Sequence, residues 1–230
     1  MLSYSKQHIE KEDIEFVKKS MLCELLTQGS LIKKFENKLS IYFKSKYCVA
    51  VSSGTAALHL CGIALNWNKN DIILLSANTF VATANSALYS KAQIDLVDIN
   101  QKTNNIDPSA LENKILIYRK NGKKINTVIA TDYAGHPCDW IALHKLKKKY
   151  GFHLINDNCH AIGSEINKDR GYAIKYADFV VHSYHPVKAI TTGEGGSIFT
   201  NSKKYFDILN KSRSHGIIRN KLLFKKFGEW

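Results

Sequence analysis

Length, composition and charge narrow the class of protein before any motif is considered. The chain has 230 residues, of which 44% are hydrophobic and 23% charged, with only three prolines. This composition is typical of a globular protein with a sizeable core and excludes a disordered chain. The formal net charge of +13 raises the question of nucleic acid. The basic residues, however, come in short scattered groups without a recognition motif, so anionic small molecules fit the charge as well.

Cysteine usage and hydropathy predict a cytoplasmic protein. The cysteines are odd in number and widely spaced, without a CxxC pair, which indicates reduced thiols and not a disulfide framework or a zinc knuckle. They are Cys23, Cys48, Cys61, Cys138 and Cys159. No signal peptide is expected from the polar, charged residues 1–13. The uncharged stretch Cys48–Trp67 is interrupted by polar residues, which favours a strand, a turn and a helix over a membrane span.

Helical and extended patterns alternate along the chain. The predicted elements are helix Lys11–Leu25, helix Leu31–Phe43, strand Tyr47–Val51, helix Thr55–Leu65, strand Asp71–Leu75, helix Val81–Ser90, strands Ile94–Val97 and Thr127–Thr131, helix Trp140–Tyr150, strands His153–Ile155, Phe179–His182 and Ser197–Thr200, and helix Lys203–Arg213. Strands separated by helices predict an α/β fold with a mostly parallel sheet and helices on both faces. The stretch Gln101–Lys124 is the most loop-like, with a short helix over Pro108–Ile115. In the absence of a repeat or a low-complexity linker, residues 1–230 are interpreted as a single domain.

Polar segments follow three of the predicted strands, at the ends where functional residues of such sheets gather. The first is Ser52–Thr55, which also opens a helix. Free amides at that helix terminus, together with the hydroxyls of Ser53 and Thr55, suit a phosphate group. The segment is not a Walker loop, because no Gly-Lys-Ser/Thr follows. The alternative is an ordinary helix N-cap.

The second segment, Asp157–His160, combines a carboxylate with an imidazole. Asp157 is suited to pair with a cationic nitrogen, and His160 to hydrogen-bond a phenolic oxygen. An alternative groups both with His182 and His185 as a metal cluster. The spacing of those two histidines in extended chain does not place both rings on one side, and no further acidic motif accompanies them. No metal is therefore expected.

Lys188, in the third segment, is the candidate nucleophile. It follows the apolar run Phe179–Val181 and precedes the glycine-rich turn Gly193–Gly196. A lysine held in a cleft there can form a Schiff base, whereas the alternative is a solvated surface lysine. Phe80 also follows a strand and is either a core aromatic or a stacking partner for a flat ring.

Together these residues match the requirements of pyridoxal 5'-phosphate (PLP). That cofactor needs a lysine for the imine, an aspartate for the pyridine nitrogen, an aromatic against the ring, and hydroxyls with a helix terminus for the phosphate. The chain resembles the DegT/DnrJ/EryC1/StrS family of sugar-nucleotide aminotransferases from Tyr4 to the end of Arg213–Gly216. The other supporting stretches are Leu26–Gly29, Phe80–Asn85, Asp132–Gly135 and His160–Glu165.

The resemblance implies a fold-type I PLP-dependent enzyme and assigns roles to individual residues. Lys188 would bind the cofactor covalently and shuttle the proton, Asp157 would hold the pyridine nitrogen, and His160 the ring hydroxyl side. Phe80 would stack on the ring. The phosphate would be bound by Gly54, Thr55 and Ser183. Candidates for contacts to the sugar nucleotide are Tyr4, Thr27 and Ser53.

The resemblance also implies a reaction. It is strongest to members of pseudaminic-acid biosynthesis, which move an amino group from L-glutamate to C4 of a UDP-linked 4-keto-6-deoxy sugar. A lysine at position 188 favours transamination, because members that dehydrate the sugar carry histidine there. The family is homodimeric, with sites at the interface.

The family extends beyond the position of Gly216 into a smaller C-terminal domain. The resemblance therefore implies that this chain is the large domain with the small domain absent. The alternative function is a non-catalytic remnant, or one subunit of a split aminotransferase that needs a complementing C-terminal chain.

Overall fold

The computed structural model describes residues 5–23 and 25–217, which contain seven helices and seven strands besides two single 3-10 turns. In chain order these elements are α1 (Lys11–Met21), α2 (Ser30–Tyr42), β1 (Tyr47–Val51), α3 (Gly54–Ala64), β2 (Ile72–Ser76), α4 (Val81–Tyr89), β3 (Gln93–Val97), α5 (Pro108–Lys120), β4 (Thr127–Thr131), α6 (Trp140–Tyr150), β5 (His153–Asp157), β6 (Phe179–Ser183), β7 (Gly196–Thr200) and α7 (Lys203–Arg213).

The strands form one mixed sheet in the order β1-β7-β6-β5-β4-β2-β3. Strand β7 is antiparallel to both of its neighbours, β1 and β6, and the pairs from β6 to β3 are parallel. The mostly parallel sheet predicted from the alternation of elements is therefore confirmed. Strands β2, β4, β6 and β7 are buried along their whole length, as expected of strands covered on both faces.

Helices cover both faces of the sheet, as predicted. On one face α2, α5 and α6 supply Leu39, Leu111 and Leu143 to one cluster of buried side chains. On the other face α3, α4 and α7 supply Leu58, Ala87 and Leu209 to a second cluster. Each large apolar side chain buried in this way stabilises the fold by about 1.5–3 kcal/mol relative to its exposed state. The two clusters fix the sheet between two helical layers.

Two of the predicted helix boundaries are wrong. Helix α1 ends at Met21 and not at Leu25, and it buries none of its residues; the apolar spacing there continues beyond the hydrogen-bonded helix. The loop-like interpretation of Gln101–Lys124 misses α5, of which only Pro108–Ile115 was predicted. Asp107 begins that helix by accepting from the amides of Ser109 (2.7 Å) and Ala110 (3.3 Å).

The uncharged stretch Cys48–Trp67 forms most of β1, a turn and α3, as predicted. Among the residues that the structure describes, no helix is both long and apolar enough to cross a membrane. Three cysteines are buried, Cys159 is half-buried and Cys23 is exposed, and all five are free thiols.

Candidate active site

The three polar segments meet at one edge of the sheet. Asp157 and Ser183 are the last residues of β5 and β6, and Ser53 and Gly54 follow β1. A Cβ built on Gly54 would lie 2.9 Å from Cβ of Ser183 and 3.1 Å from Sγ of Cys159. The turn after β1 therefore touches the end of β6 and Cys159, which follows β5, although β7 separates β1 from β6 in the sheet.

The amino terminus of α3 points into this edge. Ser53 caps the helix, because its Oγ accepts from the amide of Ala56 at 3.0 Å. The first intrahelical hydrogen bond runs from Ala57 N–H to the carbonyl of Ser53. The amides of Gly54 and Thr55 precede it and have no acceptor within the helix. Ser53 therefore caps the helix, and the amides of Gly54 and Thr55 lie at its positive end, where an anion is favoured.

Glycine at position 196 is required by the same turn. A Cβ there would lie 2.5 Å from the carbonyl carbon and oxygen of Ser53 and 2.7 Å from the amide nitrogen of Gly54. Any side chain would push the turn before α3 away from the start of β7. The glycine-rich turn seen in the sequence thus brings two backbones into contact.

Asp157 is a buried carboxylate with neutral partners. It is 4% exposed. Its Oδ2 accepts from Oγ1 of Thr83 at 2.8 Å, and its Oδ1 accepts from the amide of Cys159 at 3.2 Å. No salt bridge to it forms within the part of the chain that the structure describes. A buried anion without a cation is costly, so Asp157 fits a cationic ligand atom such as a protonated pyridine nitrogen.

Lys188 and Asp157 both lie within electrostatic range of His160. Lys188 is half-buried in the loop between β6 and β7. Burial of the imidazole and then the charge of Lys188 lower the pKa of His160, against the opposing effect of Asp157. His160 is accordingly neutral at pH 7 and able to donate one hydrogen bond. The His160 ring centroid lies 6.0 Å from that of Tyr133.

The loop that carries Lys188 is closed at its base. The amide of Tyr184 donates to the carbonyl of Gly195 at 2.8 Å, and the carbonyl of Tyr184 accepts from the amide of Thr192 at 3.0 Å. Oγ of Ser183 lies 3.4 Å from the position of a Cβ on Gly54, so this hydroxyl faces the start of α3. Ser183 at the end of β6 and Lys188 in the following loop thus belong to one segment whose base is fixed by hydrogen bonds.

The remaining candidates lie farther out. Phe80 precedes α4 and is 65% exposed, so it is no core aromatic and its ring is free to contact a ligand. Thr27 is exposed on the turn before α2, and among the described residues it shares no hydrogen bond with the cluster around Asp157. Tyr4 lies outside the described residues.

The geometry does not assemble the alternative metal cluster. Within the described residues no three His, Cys, Asp or Glu side chains are placed to hold a metal ion. His182 packs against the rings of Phe43 (4.5 Å between centroids) and Phe199 (4.8 Å), in the α2 side of the core. Asp157 bonds to α4 on the opposite face.

The comparisons with known proteins agree with this geometry. The family model of the DegT/DnrJ/EryC1/StrS aminotransferases matches residues 7–228. The chain belongs to this family. Its members are PLP-dependent sugar aminotransferases, and the fold-type I architecture implied by the resemblance is confirmed.

Two curated relatives show how far the similarity extends. The chain is 37% identical over 222 residues to the UDP-4-amino-4,6-dideoxy-N-acetyl-β-L-altrosamine transaminase of Campylobacter jejuni, covering 96% of this chain and 57% of the relative. It is 33% identical over 181 residues to the GDP-perosamine synthase of Escherichia coli O157:H7, covering 79% and 48%. The chain therefore spans about half the length of these curated relatives.

Solved structures of the family give the same result. Helicobacter pylori PseC, an aminotransferase involved in the biosynthesis of pseudaminic acid, superposes with a TM-score of 0.84 at 29% identity, covering 96% of this chain and 58% of PseC. NtdA of Bacillus subtilis, with bound cofactor PMP, gives a TM-score of 0.80 at 28% identity, covering 93% and 48%.

Sequence reasoning assigned no role to two buried residues that contact Asp157, Thr83 through its hydroxyl and Asp132 through its backbone amide. Thr83, which contacts Asp157 directly, lies within a stretch quoted for the resemblance, but no role was predicted for it. Asp132 is fully buried and accepts from Asn156, Asn158 and Tyr172 at 2.7–3.1 Å. Burial raises the pKa of Asp132, and hydrogen bonds from Tyr172, Cys138 and Asn156 oppose the rise. The position of Asp132 directly after β4 is the sequence feature from which it could have been predicted.

Proposed function

We propose that this chain carries the cofactor site of a PLP-dependent aminotransferase. The reaction moves an amino group from an amino acid, L-glutamate in the simplest case, to C4 of a UDP-linked 4-keto-6-deoxy sugar. The choice of sugar is supported by the Campylobacter relative, whose name describes a transaminase of a UDP-linked amino-dideoxy sugar. The observation that carries the proposal is the convergence of Lys188, the buried Asp157 and the amino terminus of α3 at one edge of the sheet.

The residues present fit the cofactor. PLP, when bound, supplies an electron sink for proton loss at the carbon that bears the amino group. Lys188 would hold it covalently through Nζ; once the amine of a substrate had displaced Nζ from the cofactor, the freed Nζ would remove and return the proton at the reacting carbon. Asp157 keeps the ring nitrogen protonated by pairing with it, and the neutral His160 donates to the ring oxygen.

The phosphate and the ring faces are assigned to the remaining candidates. The amides of Gly54 and Thr55 and the hydroxyl of Ser183 bind the phosphate at the positive end of α3. Phe80 stacks on the ring. Tyr4, Thr27 and Ser53 are proposed to contact the sugar nucleotide. The proposal includes a cytoplasmic location. It also includes a homodimer or, alternatively, pairing with a complementing C-terminal chain. Neither nucleic acid nor a membrane is expected as a partner.

Lys188→Ala is the direct test. We expect the purified chain with added PLP to show a visible absorption band, and borohydride reduction followed by peptide mapping to place the label on Lys188. Lys188→Ala should lose the band and the label while keeping the circular dichroism spectrum of the wild type. Lys148→Ala, which removes an exposed lysine of α6, is the matched control and should keep both.

The outcomes separate the proposal from its alternative. A labelled Lys188 is followed by an assay with glutamate and a UDP-linked 4-keto-6-deoxy sugar, in which the amino sugar is the expected product. A folded chain that takes up no PLP favours the split-subunit or remnant interpretation. Label retained by Lys188→Ala would show that another lysine holds the cofactor.

A further inference from the structure

Three threonine hydroxyls form a hydrogen-bonded chain that ends on Asp157. Oγ1 of Thr83 donates to Oδ2 of Asp157 at 2.8 Å. Oγ1 of Thr79 lies 2.9 Å from Oγ1 of Thr83 and 2.7 Å from Oγ1 of Thr131. Thr83 and Thr131 are 0% and 4% exposed, and Thr79 between them is half-buried, so both ends of the chain are shielded from water.

The chemistry of the groups fixes the direction of every bond in this chain. An ionised carboxylate only accepts, and a hydroxyl has a single proton to donate. Thr83 gives its proton to Asp157, so it must accept from Thr79. Thr79 has then used its own proton, so it must accept from Thr131. All three hydroxyl dipoles therefore point their positive ends towards the carboxylate, an arrangement in which each bond strengthens the next.

Three separate elements position the chain. Thr131 ends β4 and is the register partner of Asp157 on β5. Thr79 and Thr83 are four residues apart across the start of α4, so their side chains share one face of that turn. The amide of Thr83 also donates to the carbonyl of Phe80 at 3.0 Å. The carboxylate is thereby tied to the same turn that presents Phe80.

We propose that Thr83 is a positioning residue for Asp157, and that the ordered chain Thr131–Thr79–Thr83 holds this carboxylate in the orientation that pairs with a cationic ring nitrogen. The inference rests on the proposed function. Two of the four acceptor positions of the carboxylate are used, by Thr83 and by the amide of Cys159. The bond from Thr83 is the only one of the two that a side-chain substitution can remove.

The test compares isosteric variants by their affinity for PLP, titrated through visible absorption. Thr83→Val keeps the shape and removes the hydroxyl; loss of a bond to a charged group should weaken PLP binding about tenfold. Thr83→Ser restores the hydroxyl and should bind as the wild type does. Ser86→Ala is the matched control on α4, because Ser86 is equally buried and its Oγ donates to the carbonyl of Thr83 at 2.7 Å.

A double-mutant cycle distinguishes positioning of Asp157 from general support of the fold. In an Asp157→Asn background we expect Thr83→Val to change PLP affinity less than twofold, because the charged acceptor is gone. An equal loss in both backgrounds, a loss as large in Ser86→Ala, or no loss in Thr83→Val alone would each overturn the inference. A wild-type chain that takes up no PLP at Lys188 would overturn the proposed function together with it.

Discussion

His182 shows how the surroundings of one residue set its chemistry. It was considered as a metal ligand, yet its ring lies among aromatic side chains, and its Nδ1 has no partner among the described residues. Burial lowers the pKa of His182 from 6.5 to about 3. The folded protein therefore holds the neutral imidazole at pH values where the unfolded chain binds a proton.

This difference predicts an acid-sensitive stability. Because the unfolded state takes up more protons, the free energy of unfolding falls as the pH drops from about 6.5 towards 3. At pH 5 the loss caused by His182 is on the order of 2 kcal/mol, from 1.4 kcal/mol per pKa unit. We expect urea unfolding at pH 7 and pH 5 to show a smaller difference for His182→Leu than for the wild type.

Replacement of an exposed histidine provides the control. His136→Leu, at an exposed position, should keep the wild-type difference between the two pH values. An unchanged difference in His182→Leu would show that His182 does not contribute to acid sensitivity.

Helix α5 illustrates the scale of a single element. Asp107 accepts from two first-turn amides, and proline follows at the first helical position, where its missing N–H costs nothing. Both signals are local and were present in the sequence, although the prediction ended the helix at Ile115 and the observed helix continues to Lys120. Leu111 and Ile115 on its inner face are 0% and 2% exposed. Burial of these side chains therefore stabilises the helix in addition to the cap.

The cap makes a measurable contribution to stability. Asp107→Ala leaves the amides of Ser109 and Ala110 without that acceptor, and we expect unfolding in urea to show a loss of about 1 kcal/mol. Asp107→Asn keeps an acceptor oxygen and should lose less. Ser109→Ala, at an exposed position of the same turn, should stay near the wild type. A loss in Asp107→Ala no greater than that in Ser109→Ala would contradict the role of the cap.

At the scale of the whole molecule, the chain carries 33 basic and 20 acidic residues. The unbalanced positive charges repel one another in the compact folded state and destabilise it. At 0.01 M salt the Debye length is about 30 Å, and at 0.15 M it is about 8 Å. We therefore expect the thermal unfolding midpoint at pH 7 to rise between these sodium chloride concentrations. The same comparison near the isoelectric point of about 9.4 should show a smaller rise. An equal rise at both pH values would contradict self-repulsion as the cause.

The sequence by itself determined the alternation of strands and helices and the polar segments at the strand ends. These features depend on near neighbours: the spacing of apolar residues, a cap, or a glycine after a strand. The fold class follows from them, and so do Asp157 and Lys188 as candidates. The family resemblance added the roles of the other candidates, which remain proposals for this chain.

Only the tertiary structure decided which of those segments touch. Strand β7 inserts between β1 and β6, and this order brings Gly196 against Ser53. Thr83 and Asp157 are in contact although they are 74 positions apart in the chain. His182 packs on the α2 side of the sheet, opposite to the α4 side on which Thr83 contacts Asp157. Contacts of this kind depend on the order of the strands in the sheet and on the face of the sheet to which each side chain points. Local sequence patterns are compatible with several strand orders and so do not determine these contacts. The hydroxyl chain that ends on Asp157 is consequently visible only once the sheet is assembled.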